Sequence, residues 1–202
     1  MRRHRILLLC IALATLGCTE SQQGPSDETV AGTEHVCSSC HGMAGKSISP
    51  TFPRLAGQQQ EYLVVQLKAF RDKSRADPHA HTYMWGMASQ LSDATIDGLA
   101  AYYSTQSPAK GEPADPTGIA AGEKIFRDGI PDRDVPACMA CHGEKAEGNG
   151  VFPRLASQHQ SYLERQLEAF QVQSRANEIM HENSKNLTAG EISQVAAFFA
   201  AQ

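Results

Sequence analysis

Two short segments of the chain each place two cysteines and a histidine within five residues. They are Cys37-Ser38-Ser39-Cys40-His41 and Cys138-Met139-Ala140-Cys141-His142. Two thiols on one tight turn can each add to one vinyl group of a haem, and the histidine that follows is then carried under the iron as its proximal ligand. The doubled pattern therefore predicts two covalently bound haem c groups. The predicted attachment residues are Cys37, Cys40, Cys138 and Cys141, and the predicted proximal iron ligands are His41 and His142.

Other chemistries use paired cysteines, and the surrounding sequence argues against them. A zinc ribbon or a thioredoxin-like redox pair also contains Cys-x-x-Cys. Here each pair has its own histidine directly behind it, and no βαβ pattern surrounds it. The two remaining cysteines, Cys10 and Cys18, lie at the N-terminus, so no cysteine is left over for a disulfide.

Charge excludes one class of partner. The formal net charge of the 202 residues is −4, and it becomes −7 once the N-terminal leader with its three arginines is removed. Haem propionates would make the protein more acidic still. An acidic surface repels a phosphate backbone, so we expect no nucleic acid partner.

The N-terminus has the pattern of an export signal. A basic start, Met1 to Arg5, precedes an apolar run from Ile6 to Leu16. This run is shorter than a typical transmembrane helix. Leu16-Gly17-Cys18 resembles the lipobox of bacterial lipoproteins, although Thr15 stands where a leucine is usual. We expect a lipid on Cys18 that holds the protein at a membrane facing the periplasm. The alternative is an ordinary cleaved signal peptide.

The rest of the chain is a duplication. Phe52-Pro53-Arg54-Leu55-Ala56 recurs as Phe152-Pro153-Arg154-Leu155-Ala156, and the match continues at an offset of 100 through residue 76 before the offset falls to 96. A run with three prolines separates the two copies and marks a linker. The predicted divisions are a signal peptide at 1–17, a flexible tether at 18–28, a first domain at 29–107, a linker at 108–116 and a second domain at 117–202.

Apolar periodicity predicts an all-α fold. Residues 58–73 and 158–173 carry apolar side chains at helical spacing, and no alternating strand pattern occurs. Thr188 and Glu191 form a capping box for the last helix, and Ser92 caps its counterpart in the first half. A further helix is expected before each cysteine motif, from Glu28 to Val36 and from Thr117 to Phe126.

Short helices around a Cys-x-x-Cys-His turn, with a terminal helix behind a methionine loop, resemble class I cytochrome c. The tandem layout is similar to the dihaem cytochrome c4 family, through both C-x-x-C-H-G motifs, both F-P-R-L-A segments and the Y-L-x-x-Q-L helices. The resemblance implies two helical domains, each around a covalent haem, with the haem edges near the domain interface. It also implies that the carbonyl groups of Pro53 and Pro153 accept the N–H of the proximal histidines. Arg54 and Arg154 follow directly and are placed to pair with haem propionates, or else are surface arginines.

Methionine supplies the distal ligand in our interpretation. Met1, Met43 and Met139 are badly placed, which leaves Met84, Met87 and Met180. Met84 and Met180 both stand seven residues before the leucine of the final helix cap, so they occupy equivalent positions of the repeat. We expect these two to bind the irons, with Met87 as the alternative to Met84 and core filling as the alternative role for all three. The other histidines are expected at the surface: His35, His79, His81, His159 and His181.

These features predict an electron carrier rather than an enzyme. His/Met ligation raises the haem potential and leaves no open iron position for a substrate. The expected donor is a quinol-oxidising bc-type complex and the expected acceptor is a terminal oxidase. The alternative is a dihaem peroxidase or the haem subunit of a periplasmic dehydrogenase, and a zinc-binding interaction module is a third hypothesis. The order of the two haem potentials stays open.

Overall fold

The computed structural model describes residues 27–113 and 115–202, and the described part of the chain is helical with no named strand. The predicted signal peptide, the lipobox and Cys18 lie outside the described residues. Within those residues no helix is both long and apolar enough to cross a bilayer. The first half contains α1 (Asp27–His41), α2 (Gln60–Arg71), a π-helical turn (Ala80–Met84), α3 (Trp85–Ala88) and α4 (Asp93–Ser104). The second half contains α5 (Pro116–Asp128), α6 (Met139–His142), α7 (Gln160–Gln171), α8 (Glu178–Ser184) and α9 (Ala189–Ala200).

The two cysteine motifs sit differently on their helices. In the first half α1 continues through the motif and ends at His41, beyond the expected end at Val36. In the second half α5 ends at Asp128, and the Gly129 that follows has a φ of 67°. Glycine accepts that left-handed conformation without steric cost. A loop closed by a bridge between Ile130 and Val135 follows, and α6 then carries the motif as a separate helix.

The last helix of each half begins as the sequence predicts. The Thr188 hydroxyl accepts a hydrogen bond from the Glu191 backbone N–H at 3.3 Å, and the Glu191 carboxylate accepts one from the Thr188 N–H at 2.8 Å. Ser92 accepts from the Thr95 N–H at 3.1 Å in the first half. These bonds satisfy N–H groups that have no partner inside a helix, so the capping predictions are confirmed.

Each half has its own apolar core against its terminal helix. In the second half the ring of Phe126 of α5 lies tilted against Phe198 and edge-on to Phe199, both of α9. In the first half Leu63, Leu99 and Tyr103 form the corresponding cluster. The chain therefore folds as two helical domains in tandem, and each core lies beside its cysteine motif.

A glycine marks the close approach of the first and last helices in each half, but it lies on opposite helices. In the first half Gly98 of α4 faces Val30 of α1, and a Cβ on Gly98 would lie 2.6 Å from a Val30 methyl group. In the second half Gly122 of α5 faces Gln194 of α9, and a Cβ on Gly122 would collide with the Gln194 carbonyl oxygen. Gln194 is the repeat counterpart of Gly98. In the first half the missing side chain of Gly98 leaves room for Val30, and in the second half the missing side chain of Gly122 leaves room for the Gln194 backbone.

Candidate functional site

None of the four motif cysteines is tied up in a disulfide with another described residue. Cys37 and Cys40 lie on the last turn of α1, while Cys138 precedes α6 and Cys141 lies within it. In each pair the first cysteine is half-buried and the second is exposed. Burial raises the pKa of the Cys138 thiol to about 11 and, together with the nearby charge of Glu34, also raises the pKa of Cys37. The two sulfur atoms of each motif therefore differ in exposure, with the first partly covered and the second open to solvent.

Each motif histidine is buried and held by one carbonyl group. His41 Nδ1 lies 2.8 Å from the Pro53 oxygen, and His142 Nδ1 lies 3.0 Å from the Pro153 oxygen. A carbonyl can only accept, so each Nδ1 carries the proton and Nε2 keeps its lone pair. Burial also lowers the pKa of both rings, so they are neutral at pH 7. A neutral imidazole fixed through Nδ1 is the form that binds a metal through Nε2.

The three candidate methionines all line the same cavity as the histidines. Met84 is the last residue of the π-helical turn and packs against the core cluster around Phe70. Met180 lies on α8, where its backbone N–H donates to the Asn177 side chain at 2.9 Å. Met87 lies on α3 and remains 47% exposed. Burial favours Met84 over Met87 as a ligand in the first half.

The four residues by which the first half is longer lie just before Met84, between Asp77 and Tyr83. They are accommodated in the π-helical turn, whereas the second half passes directly into α8, which Asn177 caps. His181, which follows Met180, has its Nδ1 3.0 Å from the Phe170 carbonyl oxygen. That bond turns His181 to α7, so the thioether of Met180 is the better placed ligand of the two neighbours.

One continuous cavity of about 770 Å³ connects the two halves. Both motif histidines, all four motif cysteines, Met84 and Met180 line it, and most of the remaining wall is apolar. Thiols for covalent attachment, imidazoles and thioethers for iron, and an apolar wall for a porphyrin ring are the groups a haem c site requires. The residues present therefore fit the predicted cofactor.

The two arginines after the prolines have unlike surroundings. Arg54 donates to the backbone oxygens of Ser47 at 3.2 Å and Ser157 at 2.5 Å, and to the Glu112 carboxylate at 2.7 Å. The Nε of Arg154 is buried and has no hydrogen-bond partner, and burial lowers the pKa of this guanidinium. Arg154 also lines the cavity, and an arginine there that forms no ion pair with a carboxylate of the described residues suits a propionate. The structure offers Arg154 for that contact and places Arg54 in the interface between the halves.

Two glutamines join the halves through matching hydrogen bonds. The Gln58 amide donates to the Arg154 carbonyl oxygen at 2.9 Å and accepts from the Arg154 N–H at 2.6 Å. The Gln158 amide makes the same pair with the Arg54 backbone, at 2.9 and 2.8 Å. The repeat therefore generates an interface with approximate twofold symmetry around the cavity.

A second symmetric network was not identified from the sequence. Arg75 donates to Gln66 and Gln166 at 2.8 and 2.7 Å, and Arg175 donates to the same two amide oxygens at 2.8 and 2.6 Å. Arg175 also donates to the Tyr62 hydroxyl at 2.9 Å. Burial acts to raise the pKa of that hydroxyl, but the charges of the two arginines outweigh it and lower the pKa. These polar residues recur in both halves at an offset of 100, and that repetition is the sequence feature that could have indicated the network.

Known proteins resemble the chain along most of its length. The family model described as Cytochrome c matches residues 29–107 and 119–200. Cytochrome c4 of Stutzerimonas stutzeri is 39% identical over 181 residues, which cover 85% of each chain. A protein of Thiomonas intermedia named thiosulfate dehydrogenase electron acceptor is 37% identical over 211 residues, covering all of this chain and 94% of the relative. The solved cytochrome c4 of Acidithiobacillus ferrooxidans superposes with a TM-score of 0.79 at 41% identity, covering 82% of this chain and 98% of that one.

Proposed function

Because the chain belongs to the cytochrome c family, in its dihaem cytochrome c4 branch, we propose that it relays electrons between two respiratory proteins, a donor and an acceptor, outside the cytoplasm. Two covalently bound haem c groups are its redox centres. When bound, each haem supplies a one-electron Fe(III)/Fe(II) couple. The chain supplies attachment, ligands and the dielectric surroundings.

The ligand set determines what the two centres can do. His41 and His142 present unprotonated Nε2 atoms, because the Nδ1 of each ring donates to the Pro53 or Pro153 carbonyl group. Met84 and Met180 are the proposed sixth ligands, and a soft thioether favours the reduced iron. With a histidine and a methionine binding each iron, no coordination position would remain open for peroxide or another substrate. This supports a carrier over the alternative of a dihaem peroxidase.

The shared cavity is the observation that carries the proposal. Both motif histidines and both methionines line one continuous space that crosses the domain interface. Electron transfer slows steeply with distance. Two centres that share one cavity therefore exchange electrons faster than two centres in domains that do not touch. The symmetric bonds of Gln58 and Gln158 hold the halves in this arrangement. The protein is therefore suited to store two electrons or to pass one along its length.

The partners follow from the proposed place of the protein outside the cytoplasm. We infer a quinol-oxidising bc-type complex as donor, a terminal oxidase as acceptor and a periplasmic location with a lipid on Cys18. The similarity to a protein named thiosulfate dehydrogenase electron acceptor favours a second candidate donor, thiosulfate dehydrogenase. Rates of haem reduction, measured separately with the purified bc-type complex and with thiosulfate dehydrogenase plus thiosulfate, distinguish the two donors.

Substitution of Met180 tests the ligand assignment. The purified protein should show two haem additions by mass spectrometry and two c-type couples in a visible redox titration. Met180→Ala should lower the potential of the second haem, remove half of the near-infrared band of methionine-ligated ferric haem and allow carbon monoxide to bind there. Met87→Ala is the matched control and should leave both potentials in place. Unchanged potentials in Met180→Ala would transfer the role to another side chain.

A peroxidase assay tests the enzymatic alternative. We expect no hydrogen peroxide turnover by the wild-type protein, with or without prior reduction, because both irons have two side-chain ligands. Turnover that appears only in the half-reduced protein would support the peroxidase.

A further inference from the structure

The loop that follows the first haem motif holds two apolar side chains almost fully in solvent. Met43 is 86% exposed and Ile48 is 95% exposed, and the exposed Lys46 lies between them in the chain. Neither Met43 nor Ile48 lines the cavity, so a haem bound there does not cover them. Transfer of such side chains from water to an apolar phase is favourable. The loop therefore has the composition of a contact surface.

The backbone of this loop is folded back on itself. Gly42 lies so close to Lys46 that a Cβ on Gly42 would be 2.7 Å from the Lys46 carbonyl oxygen. The Lys46 N–H donates to the Met43 carbonyl oxygen at 3.2 Å. Ser47, the residue directly before Ile48, is only 2% exposed. Met43 and Ile48 therefore project from one compact turn, and Ile48 is exposed although its neighbour is packed.

The equivalent loop of the second half has the opposite chemistry. Met43 corresponds to Glu144 and Lys46 to Glu147, at the offset of 101 that also aligns the haem motifs. Ile48 lies where the first loop is one residue longer. The first loop contains no aspartate or glutamate. Of the two loops, only the first combines exposed apolar side chains with a positive charge.

We propose that the loop around Met43, Lys46 and Ile48 contacts the lipid bilayer and sets the orientation of the protein on it. The inference rests on the proposed function, in which a lipid on Cys18 holds the protein at a membrane. Apolar side chains beside a lysine suit the boundary between acyl chains and anionic headgroups. The acidic second loop is repelled by such a surface. The charges therefore select one of the two orientations that the approximate twofold symmetry offers.

The length of the predicted tether allows this contact. Helix α1 begins at Asp27, nine residues after Cys18, and nine extended residues span about 30 Å. The 15 residues of α1 are about 22 Å long, and the loop follows their end at His41. The tether is thus longer than α1, so either end of this helix can reach the bilayer. A tether of this length gives an effective concentration in the millimolar range, at which a weak contact is sufficient.

Vesicle binding by the holoprotein without its lipid tests the proposal. Cys18→Ser removes the anchor, and the protein is sedimented with vesicles of equal parts phosphatidylethanolamine and phosphatidylglycerol, at lipid concentrations up to the millimolar range. Haem absorbance in the pellet measures binding. We expect weak binding, which a second substitution, Ile48→Asp, lowers at least about tenfold because an apolar side chain leaves the lipid. Lys46→Gln should lower binding about fivefold at low salt, and less at high salt.

Val172→Asp is the matched control. Val172 is an apolar residue of the second half that is 74% exposed, and Asp72 occupies its equivalent position in the first half. We expect this variant to bind vesicles like the Cys18→Ser protein. Because Ile48 and Val172 are both exposed, neither substitution should change the urea unfolding midpoint, and this measurement separates lost binding from misfolding.

Three results would overturn the proposal: no vesicle binding by the Cys18→Ser protein at millimolar lipid, unchanged binding by Ile48→Asp, or equal losses in Ile48→Asp and Val172→Asp. If Ile48→Asp binds vesicles normally but is reduced more slowly by the bc-type complex, the loop contacts a protein and not a bilayer. A failure of the proposed function would look different, because the wild-type protein itself would then lack two c-type couples.

Discussion

Replacing Gln158 by alanine measures how strongly the two halves are held together. The side-chain oxygen accepts from the Arg54 N–H at 2.8 Å and from the His159 N–H at 3.1 Å, and the side-chain nitrogen donates to the Arg54 oxygen at 2.9 Å. Gln158 is 6% exposed, so water replaces these bonds poorly. At about 1 kcal/mol for each bond, the loss is about 2–3 kcal/mol. With a urea m-value of about 2 kcal/mol/M, the unfolding midpoint falls by about 1 M or slightly more.

Urea unfolding followed by circular dichroism and by haem absorbance is the assay. Gln58→Ala removes the matching amide and should give a loss of similar size, because its bonds to Arg154 have the same geometry. Gln90→Ala, at an exposed position, should leave the midpoint within about 0.2 M of the wild-type value. Wild-type midpoints in both buried variants would refute the argument that these amides hold the interface.

Three further predictions concern the last helix, acid stability and the N-terminus. Thr188→Ala should cost about 1 kcal/mol in thermal unfolding because it removes the N-cap, and a variant that melts like the wild type would contradict the role of this cap. For Asp77, burial acts to raise the pKa but Arg75 lowers it, and for Glu191, Arg133 and Thr188 likewise outweigh burial. These carboxylates therefore stabilise the fold above their unfolded pKa of about 4. The urea midpoint should fall as the pH drops below that value. A midpoint that stays constant from about pH 6 to about pH 3 would contradict this. Cys18→Ser should move the protein from the membrane to the soluble fraction, and equal membrane association would reject the lipid anchor.

The haem positions could be predicted because covalent chemistry restricts their spacing. Two thioether bonds and one iron bond leave no freedom in a Cys-x-x-Cys-His segment, so the motif defines the local geometry wherever it occurs. The paired positions of Met84 and Met180 followed from the repeat, and the structure places both on the cavity wall. The helix caps were predictable for the same local reason, since Thr188 and Glu191 are three residues apart.

The interface could not be predicted because its partners are far apart in the chain. Tyr62 lies in the apolar helical pattern of residues 58–73, yet its hydroxyl receives a hydrogen bond from Arg175 of the other half. Local patterns show that a position is buried, but not which half buries it. Identical polar residues at buried positions of both copies, such as Gln66 and Gln166, were the available indication.

The glycine crossings bear on how the duplicated gene can evolve. Recombination between repeats tends to make two copies identical, and position 98 resists it in one direction. Copying the α9 sequence onto α4 would place glutamine at position 98, where a Cβ would lie 2.6 Å from a Val30 methyl group. Copying the α4 sequence onto α9 would place glycine at position 194 and would create no such clash, because Gly122 meets the backbone of Gln194 and not its side chain. This contact therefore penalises gene conversion of α4 by α9 and preserves that difference between the two domains.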